Sequence, residues 1–234
     1  MFHPRPIPTL ITAFLFTVLM GLGFWQIERL HWKEALLADI DQRAHAVPVD
    51  IASVTPDTAD YRAAKASGTF LYDKSFYLFA SNRATGEGGY HVLTPLQLPD
   101  GGLLLVDRGW IPYAKKPDGF AQPSGVVSLQ GLLLRPAPQG WMQPANNPAK
   151  GEWYNVDLAA MSESAHRSPF LPYVLSADAT PNEGGLPVGG QMRLDLPNDH
   201  FSYAVTWFAL AGALLVIYVL ASCRANSPAA KSKA

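Results

Sequence analysis

The residue whose position suggests chemistry most directly is His200. It follows Pro197-Asn198-Asp199, a typical helix start, and opens a long uncharged segment. An imidazole aimed along an apolar helix face is suited to ligate the iron of a flat apolar molecule such as haem. The other interpretation is an interfacial histidine beside an aromatic belt. A rotation of 100° per residue places these residues on the His200 stripe: Tyr203, Trp207, Leu214 and Tyr218.

A second set of residues lies at the matching end of the first apolar segment: Trp25, Gln26, Arg29 and Trp32. Trp25 and Arg29 are i,i+4 neighbours on a helix, and Arg29 is suited to pair with a haem propionate. If the two apolar segments pack side by side, Trp25 and Arg29 would form the wall opposite His200. The alternative is a plain membrane anchor, with aromatic residues in the belt and an arginine among lipid headgroups.

Other site chemistry is excluded by residue types and spacing. The six histidines show no metal-ligand spacing, and the single cysteine, Cys223, excludes a disulfide within the chain and a thiolate cluster. No nucleophile elbow, zinc-protease motif or phosphate loop occurs, so the sequence predicts a protein that is not an enzyme. A formal net charge of -1 argues against binding nucleic acid. His91, between Tyr90 and Val92, is expected to be a surface or hydrogen-bonded histidine.

Two uncharged segments are long enough to cross a bilayer. Residues 10–27 give ~27 Å of helix and residues 201–223 give ~35 Å, against a hydrocarbon thickness of ~30 Å. We therefore predict two transmembrane helices. The first is expected to be an uncleaved signal anchor, because the small-residue pattern at Ala44-His45-Ala46 lies too far from the apolar run for cleavage.

The distribution of charge predicts the orientation of these helices. All 19 acidic residues fall between Glu28 and Asp199, whereas both flanks carry only basic charges. By the positive-inside rule both termini face the cytoplasm, as expected for a hairpin in a bacterial inner membrane. The predicted parts are cytoplasmic residues 1–9, transmembrane residues 10–27, a periplasmic domain of residues 28–200, transmembrane residues 201–223 and a cytoplasmic tail of residues 224–234.

The exported segment predicts a helical stalk followed by a β domain. Apolar residues keep helical spacing from Ile27 to Ala44, so the first helix is expected to leave the bilayer and end before Pro48. One short helix is expected at 156–163 with Asn155 as its cap. The fold class is α+β, with a mainly antiparallel meander closed into a small barrel or sandwich. The predicted strands are 65–72, 75–81, 90–98, 102–110, 126–135 and 172–177.

One of these strands ends in an unusual string, Leu103-Leu-Leu-Val-Asp-Arg-Gly-Trp-Ile-Pro112. The apolar run predicts a buried strand, and Gly109 is where the backbone is expected to bend. Arg108 is expected to pair with a carboxylate, because charges are seldom buried alone. Trp110 is expected to fill the core, where its truncation would act through stability.

A series of short strings, spread over nearly the whole chain, carries a resemblance. In order, they are Gly23-Phe-Trp-Gln-Ile-Glu-Arg-Leu30 with Lys33, Tyr61-Arg62, Gly68-Thr-Phe70, Gly88-Gly-Tyr-His-Val-Leu-Thr-Pro95, Leu105-Val-Asp-Arg-Gly-Trp-Ile-Pro112, Trp153-Tyr154, Pro187-Val-Gly-Gly190 and Asn198-Asp-His-Phe-Ser-Tyr-Ala-Val-Thr-Trp207. Their order, between two apolar segments, resembles the surfeit locus protein 1 family, the cytochrome c oxidase assembly factors. One departure is Asp107, where the family pattern often has asparagine.

The resemblance implies a non-enzymatic role in building the haem–copper oxidase, chiefly the insertion of haem a into subunit I. It implies that haem a is carried as cargo with His200 as the axial iron ligand, and the residues expected to line its site are Tyr203, Trp207, Trp25 and Arg29. The implied partners are subunit I, haem a synthase and membrane lipid. Two alternatives stay open: a cofactor-free membrane scaffold that clamps oxidase subunits, and a membrane-anchored haem-modifying enzyme.

Overall fold

The computed structural model describes residues 5–117, 119–192 and 197–224, which fall into two units. One unit contains the described residues up to Asp39 and those from Pro197 onward, and the other runs from Ile40 to Met192. Residues 225–234 of the tail expected at 224–234, together with the first four residues of the chain, lie outside the described residues.

Three α-helices and seven strands form the main elements of the described chain, with six short 3-10 helices in the connections. The helices are α1 (Pro6–Ala44), α2 (Leu158–Ala165) and α3 (His200–Arg224). The strands are β1 (Val49–Asp50), β2 (Ala63–Phe70), β3 (Phe76–Ser81), β4 (Gly88–Gln97), β5 (Leu103–Pro112), β6 (Val126–Leu134) and β7 (Val174–Ala177). All six predicted strands are confirmed to within two residues at every end. The prediction missed β1, because two residues are too short to show a period.

The two terminal helices confirm the predicted helix positions. α1 continues without a break from the apolar segment through the predicted stalk and ends before Pro48. α1 and α3 are each long and apolar enough to cross a membrane, and only 6% and 11% of their most apolar stretches are buried. Such extensive exposed apolar surface indicates a surface that contacts lipid or another protein.

Within the first unit, α1 and α3 pack side by side in opposite directions. Thr9 Oγ1 lies 2.6 Å from Tyr218 Oη near one end of the pair. Further along, the rings of Phe24 and Phe208 meet edge to face with centroids 5.4 Å apart. A Cβ atom at Gly23 would lie 2.4 Å from Phe208 Cε1, so the absence of a side chain at this glycine lets the helices approach closely.

The β domain is a single seven-stranded sheet in the order β1-β2-β6-β7-β5-β4-β3. β2 also pairs with β4, so five strands close into a barrel, with β1 and β3 added at its sides. This confirms a small barrel. The antiparallel meander is confirmed for β3, β4 and β5, but β5 and β7 are parallel, as are β1 and β2. The chain between β5 and β7, which contains β6 and α2, is long enough for the crossover that parallel strands need.

The short helix begins later than the sequence predicts. The predicted cap, Asn155, is wrong: α2 starts at Leu158, and Asp157 Oδ1 accepts a hydrogen bond from Ala160 N at 3.0 Å. The Asn155 side chain instead accepts a hydrogen bond from Asn146 Nδ2 at 3.0 Å. The side chain of Asn155 is therefore used by a tertiary contact, and Asp157 caps the helix instead. Aspartate and asparagine are equally favourable N-cap residues.

Strand β5 lies between β7 and β4, and both of its faces are buried. Leu104 and Val106 belong to one core cluster, whereas Leu103 and Leu105 belong to the other, which also includes residues of α2. This burial explains the continuous apolar run, because a strand covered on both faces has no solvent-facing side to carry polar residues. The alternation continues past the run, so Asp107 and Arg108 point to opposite faces.

Candidate functional site

His200 stands at the start of α3 and contacts α1 through a hydrogen bond. Its Nδ1 lies 2.7 Å from Oε1 of Gln26. Because the amide oxygen only accepts, Nδ1 carries the proton and the lone pair of the imidazole is on Nε2. Among the described residues, Nε2 has no hydrogen-bond partner. The pair therefore fixes the tautomer and orientation of a ring whose other nitrogen is ready to bind a metal.

The stripe predicted along α3 lies on the side of the helix that meets α1. Trp207, Leu214 and Tyr218 are half-buried there with His200, and the intervening Ala204 is buried. The indole Nε1 of Trp207 is buried and has no hydrogen-bond partner in the described part of the chain. Tyr203 lies at the margin of this stripe and is 55% exposed.

Trp25 and Arg29 are not brought to His200. Trp25 is 54% exposed, and the Arg29 guanidinium carbon lies 3.9 Å from the ring centroid of Trp32 on the same helix. The residue opposite His200 is Gln26, the only strongly polar residue of the segment 10–27. Successive helix residues point 100° apart, so Trp25 and Gln26 cannot share a face. The sequence prediction missed the His200–Gln26 pair, and the isolated polar residue in an apolar segment is the one signal that could have identified it.

On the β domain, Arg108 is buried without the expected carboxylate. Its side chain is 3% exposed, and Nη2 donates a hydrogen bond to the Ala121 carbonyl at 2.5 Å. Its Cζ lies 5.0 Å from the centroid of Phe70 and 5.2 Å from that of Tyr72. No described carboxylate lies within ion-pair distance, so the predicted Arg–carboxylate pair is wrong. The adjacent carboxylate, Asp107, is directed to the opposite face of β5 by strand alternation.

Gly109 confirms the expected bend after Arg108. Its φ of 116° lies in the region that favours glycine, and a Cβ there would lie 2.1 Å from the Val188 carbonyl oxygen. The backbone of Val188 thus packs directly on β5, where it exchanges two hydrogen bonds with Trp110, of 2.9 and 2.8 Å. This contact fixes the end of the strand that carries Arg108.

His91 is hydrogen-bonded, as predicted, and its partner is Asp107. His91 Nδ1 lies 2.7 Å from Asp107 Oδ2, and each side chain is 17% exposed. Asp107 Oδ1 also accepts a hydrogen bond from Gly109 N at 3.0 Å. A register shift between His91 and Leu93 on β4 accompanies this pairing. The aspartate therefore joins two strands and holds the turn after Arg108.

Comparison with known proteins gives the chain its family. The sequence profile of the SURF1 family matches residues 13–212. The chain belongs to the SURF1 family. Similar relatives are the SURF1-like protein of Monosiga brevicollis (32% identical, over 86% of this chain and 82% of the relative), Surfeit locus protein 1 of Rattus norvegicus (32%, 82% and 68%) and the SURF1-like protein of Rickettsia felis (29%, 90% and 95%).

The SURF1 match begins inside α1 and ends inside α3. It therefore includes the whole β domain, the His91–Asp107 pair and the His200–Gln26 pair. The family thus covers both units of the chain rather than one of them.

The His91–Asp107 pair predicts a pH dependence of stability. Burial, the largest single influence, lowers the pKa of His91, but the charge of Asp107 and its hydrogen bond outweigh burial, so the pKa is raised above 6.5. A histidine whose folded pKa exceeds its unfolded pKa stabilises the fold below the unfolded value, and this stabilisation is lost as pH rises through the folded pKa. We expect Asp107→Asn to lower the pKa of His91, which an NMR titration measures. The decrease in the free energy of unfolding as pH rises should then be smaller than in the wild type, which denaturant unfolding at several pH values measures.

A matched control for this prediction is Asp100→Asn. Asp100 makes the same kind of turn contact, accepting from Gly102 N at 2.9 Å, but is exposed. In this variant the pKa of His91 should be the same as in the wild type. An unchanged His91 titration in Asp107→Asn would contradict the assignment of the pair.

Proposed function

We propose that the protein is a membrane-anchored assembly factor of the haem–copper oxidase that holds haem a and delivers it to subunit I. The observation that carries this proposal is the His200–Gln26 pair, a polar contact of 2.7 Å between two largely apolar helices. Membership of the SURF1 family supports the oxidase as the client. The role is one of binding and transfer, so no catalytic residue is assigned.

The chemistry of the pair suits a haem ligand. Iron takes the lone pair of a neutral imidazole, and a ligating histidine generally donates its other N–H to an acceptor. Gln26 supplies that acceptor and leaves Nε2 of His200 for the metal. Trp207 provides an aromatic surface on the same face, with Tyr203 at its edge. The lining of the site by Trp25 and Arg29 stays a prediction, and it requires the Arg29 guanidinium to leave the Trp32 ring in order to meet a propionate.

The membrane is the proposed surroundings of α1 and α3. Their length, their apolar composition and the exposure of most of their surface support two transmembrane helices in a bacterial inner membrane. The absence of acidic residues outside 28–199 supports a hairpin with cytoplasmic termini and a periplasmic β domain. His200, at the start of α3, would then lie at the outer membrane surface, where haem a can pass to subunit I. Haem a synthase is the proposed donor.

The direct test is an absorption spectrum of the full chain, purified in detergent from cells that synthesise haem a. We expect a Soret band and a reduced α band of haem a that co-purify with the protein at a fixed ratio. The same protein purified from cells that make haem b but no haem a serves as the control for selectivity. Purified protein without any haem a would contradict the proposal and leave the scaffold function.

Membrane orientation gives a separate prediction. A reporter inserted near Gly119 should be active in the periplasm, because the acidic β domain lies between the two spans. Reporters before residue 10 and at the carboxyl terminus should be active in the cytoplasm. Paired alkaline phosphatase and fluorescent fusions measure both sides. A fluorescent cytoplasmic signal near Gly119 would overturn the hairpin.

The scaffold alternative has its own supporting observation, a group of aromatic side chains on the β domain. The rings of Phe79 and Tyr154 stack with centroids 4.9 Å apart, and Tyr90 lies 5.0 Å from Phe79. Tyr113 is 52% exposed beside them. Partly exposed aromatic residues are typical of protein-binding surfaces, so this face is the proposed contact with an oxidase subunit in either function.

A further inference from the structure

A cavity of about 710 Å³ in the β domain is separate from the residues that the proposed function uses. Strands β2, β5, β6 and β7 and the segment after β7 contribute to its lining. Its apolar lining includes Phe70, Val106 and Leu129, which belong to the barrel core cluster or pack against it. The volume falls within the range of small-molecule sites, ~300–1,000 Å³. The cavity therefore offers an apolar body a place to bind next to the barrel core.

Arg108 gives this cavity a cationic group. It lines the cavity and points to the same face of β5 as Val106, by strand alternation. Nη2 is used by the Ala121 carbonyl, but Nη1 is buried and has no hydrogen-bond partner in the described part of the protein. Burial lowers the pKa of the Arg108 guanidinium, while Tyr72 and Tyr77 act in the opposite direction. The group nevertheless stays cationic, because the arginine pKa lies so far above neutrality.

A buried charge without a counter-charge destabilises a fold. Removing an ion from water is unfavourable, and one carbonyl with three aromatic rings offsets only part of that cost. The third ring is Phe120, whose centroid lies 5.7 Å from Arg108 Cζ. Groups retained at such a cost are common at binding sites, where a ligand supplies the missing partner. An anion is the partner that a guanidinium selects.

The other charged residues of the cavity lining determine whether a singly or a doubly charged anion is favoured. They are Asp50, Lys65 and Asp178, so the lining as a whole, with Arg108, carries no net charge. A monoanion leaves a single excess negative charge, whereas a phosphate dianion would leave two beside the two aspartates. We propose that the cavity binds a monocarboxylate with an apolar body, such as a medium-chain fatty acid, whose carboxylate pairs with the Arg108 guanidinium after Nη1, which is buried in the free protein, turns toward the cavity.

The test uses the full chain in detergent with [1-13C]octanoate, and empty micelles as the blank. We expect a saturable shift of the carboxylate carbon and binding at least tenfold tighter than that of octanol, which has the same apolar body without the charge. Inorganic phosphate should not compete. Equal affinity for octanol, displacement by phosphate or a shift that does not saturate would each overturn the proposal.

Two variants separate binding from folding. Arg108→Gln removes the charge and should weaken octanoate binding at least tenfold, while its unfolding temperature stays at or above that of the wild type. Leu129→Trp narrows the cavity, leaves Arg108 in place and should also weaken binding. A purely structural Arg108 would give a lower unfolding temperature with unchanged octanoate affinity, which overturns the proposal. If Arg108→Gln does not fold, unchanged binding by Leu129→Trp overturns it.

Discussion

His200→Ala is expected to remain in the membrane at the wild-type level and to lose most of its haem a. The substitution removes the imidazole nitrogen that the proposed function assigns to the iron, but it leaves the apolar faces of α1 and α3 intact. Loss of an axial ligand removes the main specific contact of the macrocycle with the protein. The measurement is the ratio of haem a to protein after purification, together with the position of the Soret band.

Two further variants identify what His200 does. Gln26→Leu removes the acceptor that orients the imidazole, and loss of such a supporting contact typically weakens metal binding 10–100-fold. Tyr203→Phe keeps the ring of an exposed residue and should lose much less haem. Full haem occupancy with an unchanged Soret band in His200→Ala would show that His200 is only an interfacial histidine, hydrogen-bonded to Gln26.

Trp110→Ala is expected to lower the free energy of unfolding by ~3–5 kcal/mol. The indole is 4% exposed, and a Cβ atom at Gly89 would lie 2.6 Å from its Nε1, so the ring packs directly on the neighbouring strand. Truncation leaves a cavity around which the surrounding structure relaxes only partially. Denaturant unfolding of the purified protein measures the loss, and the steady-state amount in the membrane should fall with it.

The chain offers a matched control in Trp141. This tryptophan is 92% exposed, so Trp141→Ala should change the free energy of unfolding by less than ~0.5 kcal/mol. Oxidase assembly in cells should follow the amount of protein in both variants. Normal amounts of Trp110→Ala protein with failed assembly would instead identify the end of β5 as a contact with the client.

The local pattern of the sequence determined which segments form helices and strands. Hydrophobic runs and turn residues located all six longer strands, because side-chain period and backbone bending are properties of neighbouring residues. The uncharged segments located α1 and α3 in the same way. The run Leu103–Val106 also predicted a strand buried on both faces, which its two core clusters confirm. The predicted N-cap of α2, Asn155, lies two residues before the observed N-cap, Asp157.

Tertiary structure alone decided how those segments pair and which polar groups meet. Closure of the barrel depends on β2 reaching β4, and the parallel contact of β5 with β7 joins residues far apart in the chain. Gln26 and His200 are separated by 174 positions, so no local period relates them. Arg108 was expected to pair with a carboxylate. Strand alternation instead directs it away from Asp107, and its partners are the Ala121 carbonyl and the ring of Phe70, which the tertiary structure brings to it. Pairing of distant groups is set by packing free energy summed over the whole domain, which no single segment of sequence contains.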